Sequence, residues 1–282
     1  MIRDLMQENR FPRNPWKNER IHRILVFCEH GMTKQLVNEF FQEFSKSRGN
    51  LVLDPFVGSG TVAVEAKKRG IDCVGIDSNP WSLLVTKSKV DKPRLDKKEF
   101  LEAYSNIDDY KMLIPSERLK NYHSPTQLEA LGKIRSLIND FKNDSLLLTI
   151  LAKVAEKYSR LRKSPAPRYR KIVCKSSKHK IFEEFKELFL QAYSDLECYG
   201  NDGNIDLVLA DSSVWLPKAF DGILTSPPFA NNIDYIRHTQ LHILWAGLAK
   251  DSKDLGMLRS LQIPACEASA RKWKKRLKEN GF

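Results

Sequence analysis

Long apolar runs are missing from this chain of 282 residues. No stretch approaches the ~20 consecutive apolar residues that a membrane-crossing helix requires. Cysteine is sparse and scattered: Cys28, Cys73, Cys174, Cys198 and Cys266 form no C-x-x-C pair, and their number is odd. That pattern argues against a disulfide framework or a zinc cluster and predicts a reducing, cytoplasmic setting without a bound metal. The start, MIRDLMQENRFPRNP, carries acids and has no apolar segment of the kind a secretory signal needs. Internal repeats and low-complexity tracts are also absent. What remains is an ordinary globular composition, 41% apolar and 29% charged.

Acidic residues are outnumbered. Lys and Arg total 47 against 35 Asp and Glu, a formal charge of +12. The excess is concentrated between Lys153 and Lys180, where eleven basic residues face one acid, Glu156. Such a cluster repels itself until a polyanion neutralises it, and nucleic acid is the usual polyanion. A solvated basic face is the plainer alternative. Arg160, Arg162, Lys163, Arg168, Arg170 and Lys171 are the candidate contacts.

Four short apolar runs read as buried strands: residues 51–56, 72–77, 205–211 and 220–226. Helical spacing precedes the first at 33–47, links the first two in TVAVEAKKRG, and follows the second from Pro80. Strands interleaved with helices predict an α/β fold, a doubly wound, mostly parallel Rossmann-like sheet. Residues 93–198 have helical spacing almost throughout. They are expected to form a basic helical insert, dividing a catalytic domain of residues 1–92 and 199–282.

Ligands of such sheets sit beyond the carboxyl ends of the strands. After the first strand runs Asp54-Pro55-Phe56-Val57-Gly58-Ser59-Gly60-Thr61. A phosphate-binding P-loop would need Lys after the last glycine, where Thr61 stands. A dinucleotide site is a closer rival, because Gly58-x-Gly60-x-x-Ala63 fits its relaxed pattern and Asp77 closes the next strand as a ribose acceptor should. Asp54, however, would place a carboxylate beside an anionic pyrophosphate. S-adenosylmethionine offers an ammonium and a sulfonium and no phosphate, so Asp54 suits it. Asp77 would then accept from both ribose hydroxyls, and Asp211 from the adenine amine.

The fourth strand ends in Thr225-Ser226-Pro227-Pro228-Phe229. Two prolines cannot continue a sheet, so the chain leaves in a rigid extended turn. That turn presents a hydroxyl, a fixed carbonyl and an aromatic ring. A flipped base stacked on Phe229 could donate its exocyclic amine to Ser226 and to the Pro227 or Thr225 carbonyl, which aims the amine lone pair at a methyl donor. A purely structural Pro-Pro turn is the alternative. Trp81, Trp215 and Trp245 read as packing, with Trp215 near enough to Asp211 to border an adenine pocket. Tyr235 and Arg237 follow as candidate backbone contacts. His238 and His242 have a spacing a metal can use, but no third ligand lies nearby, so core or surface histidines are expected.

Together these motifs resemble the amino-methylating DNA methyltransferases. Asp54-Pro-Phe-x-Gly-x-Gly-Thr matches the family's cofactor motif, Val74-Gly-Ile-Asp77-x-Asn-Pro80 looks like its ribose segment, and Thr-Ser-Pro-Pro-Phe matches its catalytic tetrapeptide in the serine form typical of cytosine-N4 enzymes. His30-Gly-Met-Thr33-Lys34 is loosely similar to the motif for the cofactor carboxylate. The resemblance covers residues of about 28–90 and 199–248. It implies cofactor contacts from Thr33, Asp54, Phe56, Gly58, Gly60, Thr61, Asp77, Ser78 and Asp211, catalysis by Ser226, Pro227, Pro228 and Phe229, and double-stranded DNA as substrate.

The sequence departs from the family in two ways. Phe229 stands where Tyr is more usual, keeping the stacking face without the hydroxyl. The three further strands that family members add after the catalytic one have no counterpart after Leu248, which would leave the fourth strand as an open edge. The expectation is a site-specific, cytosine-N4 DNA methyltransferase of a restriction-modification system, with a second chain or copy supplying the absent strands. An adenine-N6 or RNA base methyltransferase, and a non-catalytic fragment or subunit that binds cofactor and nucleic acid, stay open as alternatives.

Overall fold

The computed structural model describes residues 15–16, 19–24, 32–47, 49–162, 168–169, 176–198, 203–213, 215–228 and 234–262. The four apolar runs fall in one parallel sheet made of β1 (Leu51–Asp54), β2 (Asp72–Asp77), β5 (Ile205–Leu209) and β6 (Gly222–Ile223), in the spatial order β5-β2-β1-β6. Val52 pairs with Cys73 on one side and Gly222 on the other, which fixes the register. From β1 the chain steps outward through β2 to β5, then crosses back to lay β6 on the far side of β1. The direction of winding therefore reverses between β1 and β6, the place where such sheets open a crevice at their carboxyl ends.

Strand alternation gives the sheet two apolar faces. Val52 and Cys73 enter the main core with α1 (Lys34–Phe44), α2 (Thr61–Lys67) and α3 (Pro80–Val90). Leu53, Val74 and Ile76 form a separate small cluster on the other face. Two of these helices begin where a short polar side chain satisfies a first-turn amide. Thr33 caps α1 by accepting from Leu36 N–H, and Asn79 caps α3 ahead of Pro80 by accepting from Trp81 N–H. Glu65 of α2 is buried with His22 at 2.9 Å. Although burial opposes it, bonds from His22, Arg69 and Lys68 hold the Glu65 carboxyl below the usual carboxylate range, while burial pulls His22 down to about 4.

The central stretch supplies α4 (Lys97–Ser105), α5 (Pro125–Asp140), α6 (Ser145–Lys157) and α7 (Lys178–Glu197). Its core is continuous with that of the sheet: α6 packs on α3 and on α8 (Tyr235–Ala246), which is followed by α9 (Ser252–Ser260). Arg23 joins the amino-terminal turn to α7 through a bidentate pair with Asp195, both bonds 2.7 Å. Among the described residues of this stretch, strands interrupt the helical spacing at one place. Leu161–Arg162 (β3) and Arg168–Tyr169 (β4) pair antiparallel as a small ribbon, with Arg162 opposite Arg168.

Among the described residues no helix is long and apolar enough to cross a membrane. Cys73, buried, and Cys198, exposed, are free thiols. His242 shares a hydrogen bond with Glu156 at 2.7 Å and lies against the Trp81 ring, centroids 5.1 Å apart, so it is a packed core histidine.

Candidate active site

The neighbouring carboxyl ends of β1 and β6 bring the two motifs together. Asp54 ends β1 and is 2% exposed. Its Oδ1 accepts from Phe56 N–H at 3.1 Å and from the Thr225 hydroxyl at 2.7 Å. No hydrogen bond among the described residues reaches its Oδ2. Burial pushes the carboxyl up to about 7, against the pull of the Thr225 and Phe56 donors, with the Asp77 charge adding to the rise. A buried carboxyl held this way is half-neutral near pH 7 and becomes a full carboxylate when a cation arrives.

Beyond Asp54 the backbone closes a tight loop. Gly58 and Gly60 have φ of +53° and +84°, a region that costs a side chain strain. A Cβ on Gly60 would also lie 2.7 Å from the Thr86 methyl. The loop is held from several sides: Gly58 N–H donates to Asp77 Oδ2 at 3.0 Å, Gly60 N–H to Val57 O at 2.8 Å, and Thr86 of α3 donates its hydroxyl to Gly58 O at 3.2 Å. Thr61 opens α2 directly behind it.

Asp77, at the end of β2, also accepts from Asn79 N–H at 2.8 Å. Burial keeps its carboxyl above the usual range despite donors from Asn79, Ser82, Gly58 and the Ser78 amide. The sequence pattern assigns this carboxylate to ribose hydroxyls. The structure adds a second task, bracing the glycine loop through the Gly58 amide. Ala210 N–H donates to Asp77 O at 3.2 Å and so draws the end of β5 alongside. Asp211 follows, its Oδ1 accepting from Ser213 N–H at 2.9 Å and the Ser213 hydroxyl at 2.6 Å, with Trp215 41% exposed beyond it.

After β6 the tetrapeptide leaves the sheet as expected for a double proline: Ser226 and Pro227 are exposed and Pro228 half-buried, while Phe229 lies outside the described residues. Thr33 is exposed at the start of α1, and no hydrogen bond among the described residues joins it to the glycine loop. In the basic stretch, Arg162 and Arg168 are exposed on the ribbon, and Arg160 is half-buried with its amide donating to Tyr122 O. Lys163, Arg170 and Lys171 lie outside the described residues. Arg237 is exposed in the first turn of α8.

Sequence pattern singles out neither the Thr225 hydroxyl nor Thr86. A threonine directly before the tetrapeptide is the available signal for the first. Nothing in PWSLLVTKSKV marks the second.

Residues 18–87 match the family described as DNA methylase, which joins N6 and N4 amino-methyltransferases. Over 318 aligned residues the chain is 26% identical to the Type II methyltransferase M.BsoBI of Geobacillus stearothermophilus, covering 93% of this chain and 59% of that protein. It is 24% identical to M.MvaI of Kocuria varians, covering 79% of this chain and 57% of the relative. It is 25% identical to M.AvaI of a Nostoc species, covering 79% and 53%. The chain thus spans between half and three fifths of the length of these relatives. No solved structure matches it.

Proposed function

We propose that this chain, a member of the amino-methylating DNA methyltransferase family, transfers a methyl group from S-adenosylmethionine to the exocyclic amine of a DNA base, cytosine N4 by preference. The hydrogen bond from Thr225 to Asp54 carries the reading, because it joins the cofactor loop and the tetrapeptide at adjacent strand ends.

The donor set fits the cofactor. Asp54 is a buried carboxyl without a cationic partner among its hydrogen bonds, placed under two glycines, and a ligand ammonium is the group that would complete it. Asp77 and Asp211, side by side at the ends of β2 and β5, suit ribose hydroxyls and an adenine amine. Thr33, Phe56, Thr61 and Ser78 complete the proposed wall. When bound, S-adenosylmethionine supplies an electrophilic methyl group.

The chain's own residues then act by positioning. Ser226 and the Pro227 carbonyl accept the hydrogens of the target amine, so that its lone pair leaves conjugation with the ring. Phe229 stacks on the base, and the double proline holds both acceptors rigid. The base must be flipped from the duplex to reach them. Arg162 and Arg168 lie directly opposite one another on their ribbon, an arrangement that like charges disfavour. DNA phosphates would relieve it, and we assign phosphate binding to these two together with Arg160, Lys163, Arg170 and Lys171. The setting is a DNA-containing, reducing cytoplasm.

A specific observation favours a second reading, in which this chain is one part of a two-chain enzyme. Ile223 on β6 is 47% exposed and Phe220 just before it 38%. In the described sheet β6 is an edge. A partner chain adding strands there would cover both residues and brace the tetrapeptide.

The test is the methylated nucleoside. DNA from a host expressing the chain is digested and its nucleosides are identified by mass. N4-methylcytosine, absent with Ser226→Ala, is the expected result. N6-methyladenine would move the assignment to the adenine reading, and a mark confined to RNA would overturn the DNA substrate.

A further inference from the structure

Lys89, in the last turn of α3, is 0% exposed, and its ammonium donates to the Ser59 carbonyl at 2.7 Å. Ser59 sits between the two positive-φ glycines of the cofactor loop. No carboxylate among the described residues pairs with this lysine. A lysine without a carboxylate partner is a costly way to fill core volume, and an unbranched apolar side chain would fill it without the desolvation cost. Its geometry supplies what an apolar residue cannot. Thr86, three residues earlier on the same helix, holds Gly58 O, so α3 grips two successive loop carbonyls.

The charged groups around it do not neutralise it. Lys153 approaches from α6, its own ammonium donating to Arg23 O at 2.7 Å. His22 approaches from the amino-terminal turn, with Glu65 of α2 behind it. Burial first, and then the Lys153 charge, pull the Lys89 ammonium down to about 7.

We propose that Lys89 is a positioning residue for the cofactor loop, gripping the Ser59 carbonyl through its ammonium so that cofactor affinity depends on the proton at Nζ. The inference rests on the cofactor reading above. The sign is fixed by the donor. Below about pH 7 the charge-assisted bond is in place, and above it the neutral amine is a weaker donor and the loop loosens. Asp54 works in the opposite sense, because its carboxylate forms as pH rises through about 7. Loop grip and cation binding are therefore both favoured around neutrality.

S-adenosylhomocysteine binding is measured by calorimetry between pH 6 and pH 9 for wild type, Lys89→Met and Lys89→Arg. Asp54 and the ligand's own amine titrate in all three proteins, so the ratio of affinities isolates Lys89. We expect wild type to bind about ten-fold tighter than Lys89→Met at pH 6, the ratio falling toward one at pH 9. Lys89→Arg, which does not titrate, should keep its advantage throughout. A second measurement needs no ligand: hydrogen exchange at Gly60, corrected for its intrinsic rate, should lose protection as pH rises from 6 to 8.5 in wild type and equally in Asp54→Asn, where that carboxyl no longer titrates. It decides the matter alone if Lys89→Met does not fold. A ratio independent of pH, or flat wild-type protection, overturns the assignment. Wild type that shows the loop response yet binds no S-adenosylhomocysteine overturns the cofactor reading and leaves Lys89 as the loop's anchor.

Discussion

Thr225 donates its hydroxyl to Asp54 Oδ1 at 2.7 Å across 171 residues of sequence. The bond couples the charge on the Asp54 carboxyl to the backbone that carries Ser226. Removing the donor with Thr225→Val should raise the Asp54 carboxyl further and weaken S-adenosylhomocysteine binding at pH 7 by about ten-fold, the worth of one hydrogen bond to a charged group. Raising the pH to 8.5 should recover part of the loss, because the carboxylate forms there without help. Thr225→Ser should behave as wild type. Calorimetry at the two pH values checks all three statements, and a loss independent of pH would separate Thr225 from Asp54 ionisation.

Asp54 also carries a stability cost with a defined sign. Its folded carboxyl is raised from an ordinary value near 3.8 to about 7, so the folded protein holds a proton that the unfolded chain releases. The stabilisation from that proton is fully present below about pH 4 and is lost as pH rises through about 7, so the cost of the buried carboxylate is felt at alkaline pH. Asp54→Asn keeps the acceptor for Thr225 and Phe56 and removes the titration. It should be more stable than wild type at pH 8, by up to about 4 kcal/mol, with little difference at pH 4. Urea midpoints at both pH values measure this. A destabilised Asp54→Asn at pH 8 would mean that the carboxylate is paired in the folded state.

The ribbon should contribute to DNA binding through phosphates alone. Neutralising Arg162 and Arg168 together should lower affinity for every duplex alike and flatten the salt dependence by about 0.9 for each phosphate they no longer neutralise. Fluorescence anisotropy across a salt series reads the slope. An unchanged slope would return the ribbon to the status of a solvated basic face.

At β6 the expected result concerns turnover. Among the described residues no strand lies beyond β6, and positioning of the tetrapeptide to about half an ångström needs packing on that side. Tritiated-methyl transfer by the purified chain should be weak, and should rise when a neighbouring gene's product co-purifies with it. Ser226→Ala in the active assembly should then reduce turnover far more than cofactor binding. Full turnover by the chain alone would remove the need for a partner.

The sheet is legible in the sequence because its strands are short, β-branched and bounded by Gly, Pro and Asp, and all four fall within those boundaries. Their lengths are not. The last apolar run spans 220–226, yet only Gly222–Ile223 pairs, since Asp221 turns its carboxylate onto the Asn50 and Leu51 amides and the prolines end pairing beyond. The pairing of Leu161–Arg162 with Arg168–Tyr169 is hidden inside a stretch whose basic residues mask any alternation. Asp54 and the glycines can be named from local pattern. Thr225 and Lys89 cannot, because their roles depend on which strands become neighbours and on how deeply α3 is buried. Nothing in TKSKV marks its second lysine as buried, and burial of Lys89 follows from packing of α3 against α6.

The chemistry assigned to this chain turns on whether a phosphate-free, cationic cofactor occupies the β1 loop, and a titration decides it. S-adenosylmethionine and NAD are each titrated calorimetrically into wild type and Asp54→Ala at pH 7.5. We expect binding of S-adenosylmethionine, weakened in Asp54→Ala by roughly 1.5–3 kcal/mol, and no heat from NAD. Saturable NAD binding, or S-adenosylmethionine affinity unchanged by Asp54→Ala, would refute the assignment.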